Sequence, residues 1–200
     1  MTALRAPGLA VDDLVVYASH GVGRVTSRVR EMVMLEFDRG LSVTLPVARA
    51  VKCVRPVSTE AELAAIGRTL SGSEVVSDEN WQRRLKATRS KVAGGEATGL
   101  AEVVRDASRR DERTNARTEP SRLSLTERQL YVTARKLLAD EIAARRGIDA
   151  SFADEWIGEQ LARNRDQESL SETSSAAAKA ALAVETTPTP SGNRARRRRH

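Results

Sequence analysis

Near Ser58 the apolar residues of this 200-residue chain change their spacing, and that switch limits the fold more than any other feature. Before it they alternate or run in short β-branched stretches; after it they recur every three or four positions. Leu14 to Tyr17, Gly23 to Ser27, Met32 to Phe37, Leu41 to Leu45 and Val51 to Val54 read as five strands, separated by H-G-V-G, R-V-R-E, D-R-G and P-V-A-R-A. Asp38-Arg39-Gly40 reads as a short hairpin loop, with Gly40 able to take positive φ. Five strands in so short a stretch predict a small Tudor-like or SH3-like β-barrel.

The second part is helical. Thr59 and Glu62 form a capping-box pattern ahead of Leu63, Ile66 and Leu70, and Ser71-Gly72-Ser73 supplies a stop. A second helix is predicted from about Asp78 to Val92, ended by Gly94-Gly95. A third carries Leu100, Val103, Val104 and Ala107 on one face, with Arg105, Arg109 and Arg110 elsewhere on its surface. Ser124 and Glu127 cap a fourth, whose stripe is Leu130, Ala134, Leu137, Leu138 and Ile142. Ser151 and Asp154 are the expected caps of a fifth containing Phe152, Trp156, Ile157 and Leu161. The predicted class is therefore α+β with two domains, a β-barrel over residues 9–57 and a helical bundle over 58–162, connected near Arg55 to Ser58. Residues 1–8 and the Ala, Ser, Thr and Pro-rich stretch 163–200 are expected to be disordered, since the latter has too little apolar surface to offset ordering entropy.

Charge is unevenly divided along this plan. Residues 1–57 hold 8 Lys/Arg against 5 Asp/Glu, residues 58–162 hold 17 against 18, and residues 163–200 hold 8 against 4. Inside the balanced middle region, N-W-Q-R-R-L-K-A-T-R-S-K (80–91) carries five cations and no acid. Trp81 beside Arg83, Arg84, Lys86, Arg89 and Lys91 suits a surface that holds phosphates while a flat ring presses on a base step. Helical spacing also aligns Trp81 with Leu85 and with Thr88 or Val92, so a core position and a surface position both stay open. Trp156 has more apolar neighbours and is expected in the core. Arg109 to Arg113 reads as a solvated face, and Arg196 to Arg199 as either a nonspecific DNA contact or a solubilising end.

Enzymatic chemistry is not expected. The chain has two histidines, His20 and His200, neither a P-loop nor a complete dinucleotide-binding glycine pattern, and no visible grouping of nucleophile, base and orienting residue. His20-Gly21-Val22-Gly23 reads as a turn between strands rather than a metal site, and Cys53 as a packed strand residue; no cofactor is expected. A single cysteine allows no intrachain disulfide and fits a reducing compartment. With no apolar run approaching ~18 residues, the chain is expected to be soluble and cytoplasmic, with no membrane partner.

In order, V-D-D-L-V-V-Y-A-S-H-G-V-G-R-V (11–25), L-S-V-T-L-P-V (41–47), N-W-Q-R-R-L-K (80–86), L-A-E-V-V-R-D-A-S-R-R-D (100–111) and L-S-L-T-E-R-Q-L-Y-V-T-A-R-K-L-L (123–138) resemble bacterial CarD/CdnL transcription regulators. The resemblance spans residues 9–162, and its first segment is also found in the polymerase-binding module of transcription-repair coupling factors. It implies a Tudor-like domain that pairs by strand edge with the lobe of the RNA polymerase β subunit, through Leu41, Val43, Thr44, Leu45 and Pro46. It implies also a helical domain at the upstream fork of the promoter bubble, acting at the nucleoid as a monomer. Trp81 matches a tryptophan that wedges into the minor groove and stabilises the open complex; Arg83, Arg84, Lys86 and Arg128 match basic positions, and Arg89 and Lys91 extend the run. Two departures stand out. The segment Val25 to Phe37 is shorter than in many members, and Thr44 replaces a basic residue that helps grip polymerase, a loss that Arg28, Arg30 or Arg39 would have to offset.

Two other readings remain at this point. One is a polymerase-independent, nucleoid-associated protein whose Arg-rich tail supplies the affinity. The other is an interaction adaptor in which Trp81 belongs to the core.

Overall fold

Alternation builds the first half of the molecule. In β3 (Met32–Phe37), Val33, Leu35 and Phe37 are buried while Met32, Met34 and Glu36 are exposed, the period of two expected of a strand covered on one face. Its neighbours are β2 (Gly21–Val29) and β4 (Leu41–Pro46), and β1 (Leu14–Tyr17) and β5 (Val54–Pro56) complete an antiparallel sheet of order β4-β3-β2-β1-β5. The buried face carries Val15, Val25, Val33, Leu35, Phe37 and Leu45, closed by Leu9 and Ala50. The computed structural model describes residues 9–18, 20–72, 80–115 and 123–163. The expectations for residues 1–8, for the helix start at Asp78 and for the tail from residue 164 lie outside them.

The α+β plan holds, but the sheet is open. β4 and β5 are its two edges and do not pair, so the predicted barrel is a five-stranded sheet. The tight link between β2 and β3 is a two-residue turn, Arg30-Glu31, with Arg30 at φ 52. At Gly23, a Cβ would lie 2.7 Å from the Phe37 ring and 2.8 Å from the Glu36 carbonyl oxygen, so only glycine lets these strands approach.

One strand was misplaced by its β-branched residues. Val51 to Cys53 belong to α1 (Val47–Cys53), and β5 begins only at Val54. Pro46 precedes this helix and has no N–H for a continuing ladder, while Val47, Ala50 and Cys53, three apart, face the sheet core and Val51 is exposed. Cys53 is thus a helix residue, its Sγ donating to the Arg49 carbonyl at 3.2 Å.

The second half follows its period. α2 (Glu60–Ser71), α4 (Ala97–Asn115), α5 (Leu125–Arg146) and α6 (150–163) contribute Leu63, Ile66, Leu70, Leu100, Val104, Ala134, Leu138, Ile142, Ile157 and Leu161 to a second core, against which α3 (Trp81–Gly94) packs only the half-buried Val92. Two cap assignments hold, the reciprocal boxes Thr59/Glu62 and Ser124/Glu127. The third moves: Asp149 rather than Ser151 is the cap, accepting the Ser151 N–H at 2.8 Å, and Asp154 binds Arg135 of α5 in a two-pronged ion pair. Trp156 packs against the core with the Arg146 guanidinium 4.7 Å above its ring, whereas Phe152 is exposed.

Arg105 and Arg109 are not surface residues. Both are buried, and they donate to the Thr69 and Gly72 carbonyls at the C-terminal end of α2. Four residues apart on α4, they bring positive charge to the negative end of the α2 dipole, which a pattern read one helix at a time does not reveal.

Candidate nucleic-acid interface

The Asn80 side chain starts α3 by accepting the Gln82 N–H at 3.0 Å, and Gly95 ends it in the left-handed region at φ 66. A Cβ at Gly95 would sit 2.7 Å from Ala18 Cβ, so the glycine also permits close contact with the end of β1. Between these ends only Leu85 is buried. Such a polar helix needs tethers other than apolar contact.

α5 supplies them as two carboxylates. At the N-terminal end of α3, Glu127 accepts from Trp81 Nε1 at 3.3 Å and from Arg84 Nε at 3.2 Å, while also taking the Ser124 N–H at 3.0 Å and hydroxyl at 2.8 Å. Beyond the C-terminal end, Glu141, 1% exposed, binds Arg55 of β5 through both oxygens at 2.6 and 2.7 Å and accepts the Ser58 N–H and hydroxyl. Arg55 in turn donates to the Gly95 carbonyl at 2.7 Å. Fourteen residues, ~21 Å of helix, separate the two glutamates, which matches the length of α3. The same Arg55 cluster joins the sheet to the helices.

Trp81 shares a face with Leu85 but extends past the core at the first turn, and it is 46% exposed. Of the two positions left open by the sequence, the surface one is taken: the ring follows Leu85 on the stripe but lies outside the helical core. Arg83, Lys86 and Arg89 are exposed along α3, and Arg128 is exposed one residue after Glu127. Arg84 is half-buried on Glu127, and Lys91 pairs with Glu102 of α4 at 2.7 Å. Within the basic run Arg84 is thus half-buried and neutralised by α5, whereas Lys91, although paired with α4, stays exposed like Arg83, Lys86 and Arg89.

Burial pushes the Glu127 carboxyl up, but the two Ser124 hydrogen bonds and the Arg84 guanidinium outweigh it and hold the group below its ordinary value. It is an anion under the basic surface, with its charge matched by Arg84.

The other predicted face lies on the edge strand. In β4, Leu45 is buried and Val43 packs on the sheet core, so these two offer backbone rather than side chain; Ser42, Thr44 and Pro46 are exposed, with Leu41 at the rim. Arg28 donates to the Leu9 carbonyl at 3.2 Å, and Arg30 is exposed at the β2–β3 turn. Opposite Thr44 and Pro46 stand Met34 and Met32, exposed at 39% and 41%. The alternation in M-V-M-L-E-F is the signal that assigns these methionines, absent from the expected docking residues, to the outer face. Glu127, Glu141 and Arg55 were also missed as tethers, for their partners are distant in sequence.

Among the described residues no helix is long and apolar enough to cross a membrane, and no cluster of three or more His, Cys, Asp or Glu is placed to hold a metal ion. Comparison with known families makes this sheet and these helices a transcription-related module that interacts with RNA polymerase. Residues 9–58 match the CarD-like/TRCF RID domain, and residues 65–158 match the CarD C-terminal domain. The chain belongs to the CarD/CdnL family, whose members are non-enzymatic transcription factors.

Proposed function

We propose that this protein stabilises the open promoter complex, with the edge of β4 docked on the lobe of the polymerase β subunit and α3 laid against DNA at the upstream fork. Trp81 is the wedge in the minor groove, and Arg83, Lys86, Arg89 and Arg128 hold the flanking phosphates. Arg84 and Lys91 contribute less charge because Glu127 and Glu102 already take it. On the docking face Met32, Met34 and Pro46 surround Thr44, so thioether and ring contacts stand in for the missing basic residue.

The carrying observation is the half-exposed Trp81, set at the first turn of a basic helix in a chain that also has a polymerase-interacting module. That exposure disfavours an adaptor with Trp81 in its core. A wedge contributing about 1–3 kcal/mol changes an opening equilibrium by about 5- to 150-fold, without any base-specific contact. Promoter choice is then left to the polymerase. With purified polymerase and promoter DNA, Trp81→Ala is expected to shorten open-complex lifetime about tenfold, the equivalent of 1.4 kcal/mol. An unchanged lifetime overturns the wedge.

A further inference from the structure

We infer that Glu127 is a positioning residue for Trp81, fixing the indole in the orientation in which it meets DNA. This rests on the wedge reading and adds a part to it. An acid beside a phosphate-binding surface repels its ligand unless it does something else there, and a capping box alone does not require burial. Glu62 makes the same box at α2 while exposed.

Glu127 differs in what reaches it. Its side chain is 8% exposed, and the carboxylate takes the indole N–H and the Arg84 Nε in addition to both groups of Ser124. A tryptophan on a first helical turn can rotate about two side-chain bonds, and a half-exposed ring without a tether would spread over several rotamers. The hydrogen bond at Nε1 selects one and turns the opposite, all-carbon edge of the ring away from the carboxylate. Pairing with Arg84 keeps the negative charge from opposing DNA. The same carboxylate fixes the start of α5, so the ring is indexed to the helix that also presents Arg128.

Ser124 allows the two roles of Glu127 to be separated. Ser124→Ala removes half of the cap but leaves the indole acceptor, whereas Glu127→Ala removes both. With 5-fluorotryptophan in the full-length protein, and the Trp81 resonance assigned through Trp81→Phe, Glu127→Ala is expected to move and sharpen the Trp81 line toward that of a freely rotating ring. Ser124→Ala is expected to leave it in place. In the open-complex assay Glu127→Ala should reproduce most of the loss seen with Trp81→Ala, and Ser124→Ala little of it. Equal losses for the two variants, or a wild-type lifetime for Glu127→Ala, overturn the inference while the wedge stands. No loss for Trp81→Ala overturns the wedge itself. If Glu127→Ala does not fold, the isosteric Glu127→Gln decides. Oε2 takes the indole N–H and both Ser124 groups while Oε1 takes Arg84, so a glutamine that keeps its carbonyl oxygen at the Oε2 position turns an NH2 against the Arg84 guanidinium. A displaced Trp81 line with an intermediate lifetime is expected, and a displaced line with wild-type lifetime refutes the role.

Discussion

α2 and α5 begin with the same four-residue device and use it differently. Thr59 with Glu62 and Ser124 with Glu127 are both reciprocal capping boxes, each glutamate reaching back to the N-cap N–H. Glu62 remains in solvent, so its box satisfies the helix end and little else. Glu127 is 7% exposed because α3 packs over it and brings the Trp81 indole and the Arg84 guanidinium within hydrogen-bond reach. Local sequence thus sets the cap, and the neighbouring helix decides whether the cap becomes part of a site.

Unfolding in urea, variant by variant, measures this contrast, with Glu141 as its extreme. Glu141 caps nothing, is almost fully buried and holds Arg55 and Ser58, so Glu141→Ala strips Arg55 of its two-pronged partner, leaving it the longer contact to exposed Glu96, and is expected to cost about 3 kcal/mol. Glu127→Ala should cost about 2 kcal/mol, through the lost cap and two half-buried donors left without their acceptor. Glu62→Ala should cost about half a kcal/mol, the value of one exposed cap element. Should Glu62→Ala and Glu127→Ala prove equal, the contacts from α3 contribute no stability, and the contrast drawn from burial fails.

The same contrast explains what the sequence revealed. Elements defined by periodicity or by neighbours a few residues apart were legible: β3 with its alternation, both capping boxes, the Gly94-Gly95 stop and the α5 stripe. α1 was misread because three apolar residues at spacing three sit among valines that also suit a strand. Arg105, Arg109, Glu127 and Glu141 share a different cause. Each is a charged residue at an ordinary surface-like position on its own helix, buried by a partner between 36 and 86 residues away. For the candidate site, the basic run and Trp81 were visible, but not the pairing of Arg84 with Glu127 and of Lys91 with Glu102.

The smallest expected effect is a titration. Glu62 and Glu127 are both held below the ordinary carboxylate value of 4.5, Glu62 chiefly by the Thr59 hydrogen bonds, Glu127 by Ser124 and Arg84 acting against burial. A carboxyl with a depressed folded-state pKa adds stability that is complete above its unfolded value and is lost as pH falls through the folded one. Both contributions therefore persist at neutral pH and disappear below about 4.5, in the same window. The readouts differ. Protonating Glu62 frees only the first turn of α2, whereas protonating Glu127 removes the charge that Arg84 neutralises and weakens the acceptor of the indole N–H. The fluorine resonance of Trp81 should accordingly shift below pH 4.5 in the wild type and in Glu62→Gln, and stay flat in Glu127→Gln. A shift that survives Glu127→Gln would mean that acid acts on Trp81 by another route, and that the carboxylate does not control the ring.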